Sequence, residues 1–504
     1  MPSPDAPHYD LAIVGGGING VGIARDAAGR GLKVLLLEKD DLAAHTSSSS
    51  TKLIHGGLRY LEYYEFSLVA ESLAEREVLL RTAPHIVAPL QFVLPHEPHL
   101  RPAWMIRAGL FLYDHIGGRK TLPSSFGVDL HASKWGAGLK DKFRRGFVYS
   151  DARVDDARLV VLNAIGAREL GAEIRTRTRL TGARRENGLW RLALVDAAGA
   201  ASEALARGLV NAAGPWVKEV HDQASREPAN AGVRHVKGSH IVVPRVHRED
   251  HAYILQNADH RIVFVIPYQG EFSLIGTTDI AVEKFEAPAV SRDEIGYLCG
   301  IVNAYLARPI DVADVVWTYS GVRPLYDDGS VDPSAVTRDY VLKLDLGENG
   351  GVPLLSIFGG KLTTYRRLAE SALSELKPFF PGMRGEWTRR EPLPGGDMPR
   401  GSLPAYERAL AARYPSLPES LRGVLVRRHG TRTPRILGEA KSVDELGRYF
   451  GDTLYAAEVD YLVHQEWARS ADDVLWRRTK CGLHLDAAQR AAVAAYLREQ
   501  YGRP

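Results

Sequence analysis

The chain has 504 residues, more than one typical domain holds, and its length points to about two to four domains. It is 45% hydrophobic and 25% charged, the composition of a globular protein with a large core; 64 Lys and Arg against 61 Asp and Glu exclude the global basic field of a nucleic-acid binder. Cys299 and Cys481 are far apart and give neither a disulfide framework nor a Cys-x-x-Cys metal site, which fits a reduced, cytosolic setting. Residues 1–8 lack the basic and apolar regions of a signal peptide, and no apolar run is long enough to span a bilayer.

Tyr9 to Val14 is a short apolar run with the length of a buried strand. Gly15, Gly17 and Gly20 then form G-x-G-x-x-G at the start of a helical stretch, Ile18 to Arg30, and a second apolar run, Lys33 to Leu37, ends in Glu38. A glycine motif between strand and helix, with an acid closing the next strand, is a dinucleotide-binding arrangement. Gly15 allows the turn, Gly17 lets backbone approach a pyrophosphate, Gly20 lets the helix lie on the strand, and the free N–H groups at the helix start favour phosphate. Glu38 can accept hydrogen bonds from ribose hydroxyls and disfavours the 2′-phosphate of NADP, while NAD and FAD both stand.

Thr46 to Thr51 is a dense hydroxyl cluster, expected in a loop or helix cap. It runs into Lys52, His55, Gly56, Gly57, Arg59 and Tyr60, more polar chemistry than a flexible linker carries. Phe66 to Arg81 reads as an amphipathic helix, with Leu68, Leu73, Val78 and Leu79 turned inward and Glu71, Glu75, Glu77 and Arg81 as surface charges. The segment from Arg101 to Lys120 holds an apolar helix flanked by Arg101, Arg107 and Arg119. It suits either a lipid interface or a core with solvated ends, and the poor separation of its faces favours the core.

Asp155 to Leu170 reads as a helix, Glu173 to Thr181 and Leu189 to Val195 as strands, and Ala206 to Val210 as a strand leading into Asn211 to Trp216. The small residues there, Gly214 among them, suit a close backbone approach to a ligand. From Val233 to Asp279 the pattern alternates as an antiparallel sheet, with His240, Thr277 and Thr278 at strand ends. Ser291 to Ala307 is helical. A strand from Val315 leads to Arg323, and Arg338 opens another. Leu354 to Phe358, Gly359, Gly360 and a helix from Lys361 onward repeat the strand–glycine–helix junction, with Lys361, Thr363 and Thr364 at a second helix start. After a Pro- and Gly-rich linker over residues 380–400 the chain turns all-helical; Ser470 can cap a helix, and Asp486 with Gln489 has the form of a capping box.

No metal-ligand spacing, Walker A motif or nucleophile elbow is present. What remains is a dinucleotide site with Arg59, His240, Arg323, Arg338 and Lys361 near strand ends. Converging arginines suit a phosphate or carboxylate, because the guanidinium fork binds either bidentately.

The stretches GGGINGVGIARDAAGRG, SSSSTKLIHGGLRYLE, KGSHIVVPR, IGTTD, WTYSGVRPL and FGGKLTTYR resemble the aerobic, FAD-dependent glycerol-3-phosphate dehydrogenases over nearly the whole chain. The resemblance implies an α/β, Rossmann-like FAD-binding domain with an inserted mixed or antiparallel-sheet substrate domain and a C-terminal all-helical domain. The expected boundaries are 1–82, 150–220 and 320–380 for the first, 83–149 and 221–319 for the second, and 395–504 for the third. It implies that Gly15, Gly16, Gly17, Ile18, Asn19, Gly20 and Glu38 hold the ADP half of FAD. Ser47, Ser48, Ser49, Ser50 and Lys52 would lie along the pyrophosphate and ribityl path, with Gly214 also at the cofactor and Gly359, Gly360, Lys361, Leu362 and Thr363 by the flavin. Arg59, Tyr60, Thr277, Arg323, Arg338 and Lys361 match the substrate pocket. His240, ahead of His55, is the expected base near neutral pKa, with Arg323 and Lys361 as its catalytic companions. The resemblance further implies sn-glycerol 3-phosphate as substrate, a ubiquinone-type acceptor, peripheral contact with the cytoplasmic membrane and a homodimer. An amine or amino-acid oxidase on the same fold, and a tail whose main role is to bind a partner, are the rival expectations.

Overall fold

The computed structural model describes residues 6–97, 101–118, 121–225, 232–257, 261–327, 339–347, 351–399 and 402–502. Its first sheet runs in the order Val341–Asp345, Leu354–Phe358, Ala201–Asn211, His8–Val14, Val34–Leu37, Glu173–Arg175. From Leu354–Phe358 to Glu173–Arg175 the pairings are parallel, while Val341–Asp345 and the hairpin Thr178–Glu186/Leu189–Asp196 add antiparallel strands. The strands Val34–Leu37 and Leu354–Phe358 are buried throughout, as parallel strands covered on both faces must be. Helices Ile18–Gly29, Asp156–Glu169 and Tyr365–Leu376 pack against the sheet through Val21, Val160, Leu162, Leu368 and Leu373.

The second sheet carries the expected antiparallel strands, in the order Ile280–Ala281, Gly232–Pro244, Phe272–Gly276, Ile262–Tyr268, Ala252–Gln256, Val87–Pro95, Arg145–Val154, Leu53–Ile54. Trp317–Asp327 pairs with Gly232–Pro244 over eleven register partners. Two expected boundaries therefore shift. The strand Trp317–Asp327 crosses residue 320 and belongs to the second sheet, and Leu53–Ile54, placed with the cofactor domain, pairs with Arg145–Val154. Backbone pairing decides this, and apolar pattern alone carries no record of the partner strand.

Other expectations shift locally. Glu173–Thr181 is two strands, broken at Arg177, whose φ is +52°. The helix expected from Lys361 begins at Tyr365, with Lys361 to Thr364 forming a turn before it. Helix Phe66–Thr82 buries Leu68, Leu73, Val78 and Leu79 as expected, but its charges reach other elements: Glu75 pairs with Arg366, and Glu77 meets Arg76 and Thr121. In helix Ala103–His115, Leu110 and Tyr113 face inward, while Trp104 (69% exposed) and Phe111 (58%), with Met105 and Leu112, lie at the surface. The solvated-ends core reading thus fits only one of its faces.

The C-terminal region has helices Leu403–Arg413, Glu419–His429, Pro434–Leu437, Ala456–Gln465 and Ala487–Tyr501, around Leu425, Val459, Leu462 and Val493. It is not all helix, since Tyr449–Gly451 and Leu454–Tyr455 form a small ribbon. The Asp486–Gln489 capping box is present, and Ser470 accepts from the Asp473 amide at 3.2 Å. Both cysteines are buried and free. Among the described residues no helix is long and apolar enough to cross a membrane.

Candidate active site

The carboxyl ends of the parallel strands open into a cleft of about 1160 Å³, its open mouth included. Gly15 (φ +117°) turns the chain out of the first strand, and a Cβ there would lie 2.3 Å from the Ala212 carbonyl oxygen. A Cβ at Gly20 would lie 1.9 Å from the Gly15 oxygen, so this glycine is what lets helix Ile18–Gly29 seat on the turn. The helix begins at Ile18, directly behind Gly17, with its first amides at the cleft wall; the Ile18 amide donates to Ser47 Oγ at 3.0 Å. Ala212, Ala213 and Gly214 line the opposite wall, where the small residues after the strand place backbone close to the cleft.

Glu38 lines the cleft at the ribose position of such a motif. Its Oε2 accepts from the Gly16 amide and its Oε1 from the Asp40 amide, each at 2.7 Å. Burial raises its pKa despite those two amides. Asp40 in turn binds His45 Nε2 at 2.8 Å, and that bond holds the Asp40 carboxyl below its ordinary range. Lys39 sits over the Trp216 ring at 3.8 Å, closing the wall.

The hydroxyl cluster divides. Thr46 and Ser47 line the cleft, whereas Ser48 and Ser49 donate to the His45 carbonyl. Ser50 Oγ donates to Asp156 at 2.8 Å, and Lys52 Nζ donates to both Asp156 oxygens at 2.9 Å in a buried pair. Ser50 and Lys52 thus anchor the loop to helix Asp156–Glu169. The partner Asp156 lies more than a hundred residues away, out of reach of local sequence reasoning.

The second glycine junction closes the far end. Asn19 Nδ2 donates to the Gly359 carbonyl at 3.1 Å across 340 residues, and Gly359, Gly360 and Pro324 line the same cleft as Gly15 and Gly17. Two of the expected substrate residues adjoin this junction along the chain, since Lys361 follows Gly360 and Arg323 precedes Pro324. Lys361 Nζ is 4.0 Å from the Tyr60 ring centre, Thr363 Oγ1 accepts from the His55 amide at 3.4 Å, and Leu362 packs on the core. The His55 ring meets Phe264 edge-on at 6.3 Å, and burial lowers its pKa. Sheet register sets Phe264 and His240 on either side of Gly276, so both histidines serve the same end of the second sheet.

His240 is buried. Its Nε2 pairs with Thr51 Oγ1 at 3.0 Å, its ring stacks on Tyr319 at 4.8 Å, and Nδ1 has no hydrogen-bond partner among the described residues. Burial, then the charges of Lys52 and Arg323, push its pKa down to about 3, well below the near-neutral value expected for it. Arg323 meets Asp279 at 3.1 Å, with its guanidinium near Thr277 over Gly238. Arg59 Nη2 donates to Tyr63 at 3.3 Å, which sets it with the helical turn Leu58–Tyr63. Arg338 lies outside the described residues.

Glu294 escaped sequence reasoning. Its carboxylate accepts from Ser239 Oγ at 2.6 Å, Thr278 Oγ1 at 3.0 Å and Lys237 Nζ at 2.8 Å, fixing the residues beside His240 and Thr277. The sequence signal was Ser291-x-x-Glu294, a capping box that the structure contains; capping gave that acid a sufficient reason to exist and hid its second use.

Residues 10–366 match the family model described as FAD dependent oxidoreductase, and residues 387–502 match the C-terminal domain of alpha-glycerophosphate oxidase. The chain is 55% identical to the aerobic glycerol-3-phosphate dehydrogenase of Escherichia coli, with 97% of each chain covered. It is 53% identical to the D-erythritol 1-phosphate dehydrogenase of Brucella abortus, with 96% of each covered. Among solved structures, the glycerol-3-phosphate dehydrogenase of Bacillus halodurans complexed with FAD aligns at a TM-score of 0.78 and 25% identity, over 98% of this chain and 91% of that one. With a glycine-lined cleft that ends at a second glycine junction, and with relatives of this identity along its whole length, the chain belongs to the FAD-dependent glycerol-3-phosphate dehydrogenase family.

Proposed function

We propose that the enzyme oxidises the C2 hydroxyl of sn-glycerol 3-phosphate to the ketone of dihydroxyacetone phosphate. FAD, when bound, would supply the two-electron chemistry as hydride acceptor at N5, with a ubiquinone-type acceptor taking the electrons onward. The observation that carries this reading is a single cleft lined from Gly15 and Gly17 to Gly359, Gly360 and Pro324, the last two being the chain neighbours of Lys361 and Arg323. A tight turn at Gly15 and Gly20 with no room for a Cβ, a helix start at Ile18 behind the cleft-lining Gly17 and an acid at Glu38 fit the ADP half of a dinucleotide. Gly359, Gly360 and Thr363 fit its far half.

Arg323, Arg338 and Arg59 are assigned to the phosphate, because a guanidinium binds phosphate oxygens through paired N–H groups. His240 is assigned to the C2 hydroxyl proton. At neutral pH its imidazole is uncharged and can accept a proton, and the dianionic substrate offsets the Lys52 and Arg323 charges that depress its basicity. Lys361 is assigned to the negative charge that builds on the substrate oxygen as that proton leaves. Thr277 and Tyr60 shape the pocket beside Arg323 and Lys361.

Anaerobic titration of the yellow holoenzyme tests the reading. Bleaching by sn-glycerol 3-phosphate at lower concentration than by D-erythritol 1-phosphate supports it. Bleaching by the longer polyol phosphate alone, or by amino acids, refutes the substrate assignment.

The same reading places the enzyme on the inner face of the cytoplasmic membrane as a homodimer, which equilibrium sedimentation measures. The outward Trp104, Met105, Phe111 and Leu112, beside Arg101 and Arg107, suit insertion at an anionic headgroup layer. The double variant R101E/R107E should leave anionic liposomes in a flotation assay, and full retention would reject this face.

A further inference from the structure

The nucleotide end of the cleft has two lips. One is the loop after the strand Val34–Leu37, from which Lys39, Ala43 and His45 line the cleft; the other is the turn at Arg177 and the start of the strand Thr178–Glu186, which contributes Thr178 and Leu180. They are stitched to each other, since the Arg177 amide donates to the Asp40 carbonyl and the Thr178 amide to the Glu38 carbonyl, both at 2.8 Å. Ala43 has φ +58°, a left-handed conformation uncommon for alanine, and its amide donates to the Gly16 carbonyl at 3.1 Å. Something must hold this lip in place against the glycine loop.

Its outer side is gripped by the C-terminal domain. Arg478 donates through Nη1 and Nη2 to the two oxygens of Asp41 at 2.5 and 2.8 Å, and Arg477 Nε adds a third bond to Asp41 Oδ2 at 2.7 Å. Arg177, in the second lip, donates to Asp473 at 2.5 Å, and Asp473 also takes Arg477. Asp41, Asp473 and Arg478 are buried. Each lip is thus tied to the π-helical segment Asp473–Arg478 by a buried, paired charge, with Arg477 shared between Asp41 and Asp473.

We propose that Asp473–Arg478 is a clamp on the nucleotide end of the FAD cleft, with Arg477 and Arg478 acting through Asp41 and Asp473 acting through Arg177 to hold the two lips in the conformation that retains FAD. These are positioning residues. By reciprocity, FAD binding tightens the seating of the C-terminal domain, and a ligand or partner that draws that domain away releases the cofactor. The inference rests on FAD as the cofactor and not on the identity of the substrate, so the two readings fail separately.

The test is the rate at which flavin fluorescence appears when full-length holoenzyme is diluted. R478M should release FAD about tenfold faster than wild type, R478K at an intermediate rate, and the double variant R478M/D41N at least as fast as R478M, because D41N also removes the Arg477–Asp41 bond. The control is R432M, which removes the Arg432–Glu169 bond at the far end of helix Asp156–Glu169. It should lower the melting temperature and leave FAD release unchanged. Wild-type release from R478M, or equally fast release from R432M, overturns the clamp. Should R478M fail to fold, hydrogen exchange on the wild-type chain decides: FAD should protect 39–46 and 473–478 together, and protection confined to 39–46 overturns it.

Discussion

At the interface with the C-terminal domain, Arg158, Arg477 and Arg478 each meet at least one carboxylate, and Arg158 and Glu466 are wholly buried. At the far end of the cleft Arg323 is about half exposed, with Asp279 as its acidic partner among the described residues, and Arg59 meets the phenol of Tyr63. The same residue type is used in opposite ways. Where a buried guanidinium is paired with carboxylates across an interface, it holds domains together; where donors remain turned to solvent beside a cleft, it can recognise an anion. The contrast teaches that an arginine's role lies in its remaining hydrogen-bonding capacity, which only the structure displays.

The sharpest way to break the contrast is at Arg158. R158M leaves Glu466 buried without its arginine partner, and should cost about 3 kcal/mol or more in denaturant unfolding while the kcat of surviving folded enzyme stays close to wild type. A larger effect on kcat than on stability would erase the distinction. Arg323 predicts the mirror image. R323M should lower kcat/KM by on the order of 100-fold, about 3 kcal/mol, with unfolding changed by less than about 0.5 kcal/mol. H240A should show its loss in kcat rather than in KM, and an unchanged kcat would remove His240 from the mechanism.

A smaller effect is expected from pH. Burial pushes the imidazoles of His85, His240 and His251 down to about 3. The unfolded chain therefore binds protons that the folded chain does not once pH drops below about 6.5, and stability falls as pH goes from there toward 3. Each such histidine contributes a slope of about 1.4 kcal/mol per pH unit inside that window. Glu294, held down to about 2 by Lys237, Ser239 and its own cap against the opposing effect of burial, adds a loss only at lower pH, below its unfolded value. Melting temperatures from pH 7.5 to 5 should fall, and more gently in H240N; a flat profile would mean that these imidazoles take up protons in the fold.

Much of this was legible in sequence because it rests on local chemistry. The run from Tyr9 to Glu38 dictates strand, turn and helix through side-chain period and through glycines that backbone geometry demands, and the structure reproduces it to within a residue or two. The hydroxyl cluster was recognised as a loop, but its division between cleft-lining Ser47 and the Asp156 anchor of Ser50 and Lys52 was not, since an ion pair across 104 residues leaves no local trace. The helix start at Tyr365 also moved, because Gly359 and Gly360 both take positive φ and the chain needs Lys361 to Thr364 to complete the turn.

By itself, then, the sequence determined the strand, glycine turn and helix of a dinucleotide-binding motif and that an alternating second sheet follows, since both depend on neighbours a few residues apart. Tertiary structure alone decided that Asn19 meets Gly359, that His240 is buried and stacked on Tyr319, and that the 473–478 segment grips Asp41 and Arg177. Those contacts join residues from about 80 to more than 400 positions apart. Their strength comes from burial and pairing, properties that belong to a position in space and not to a residue type.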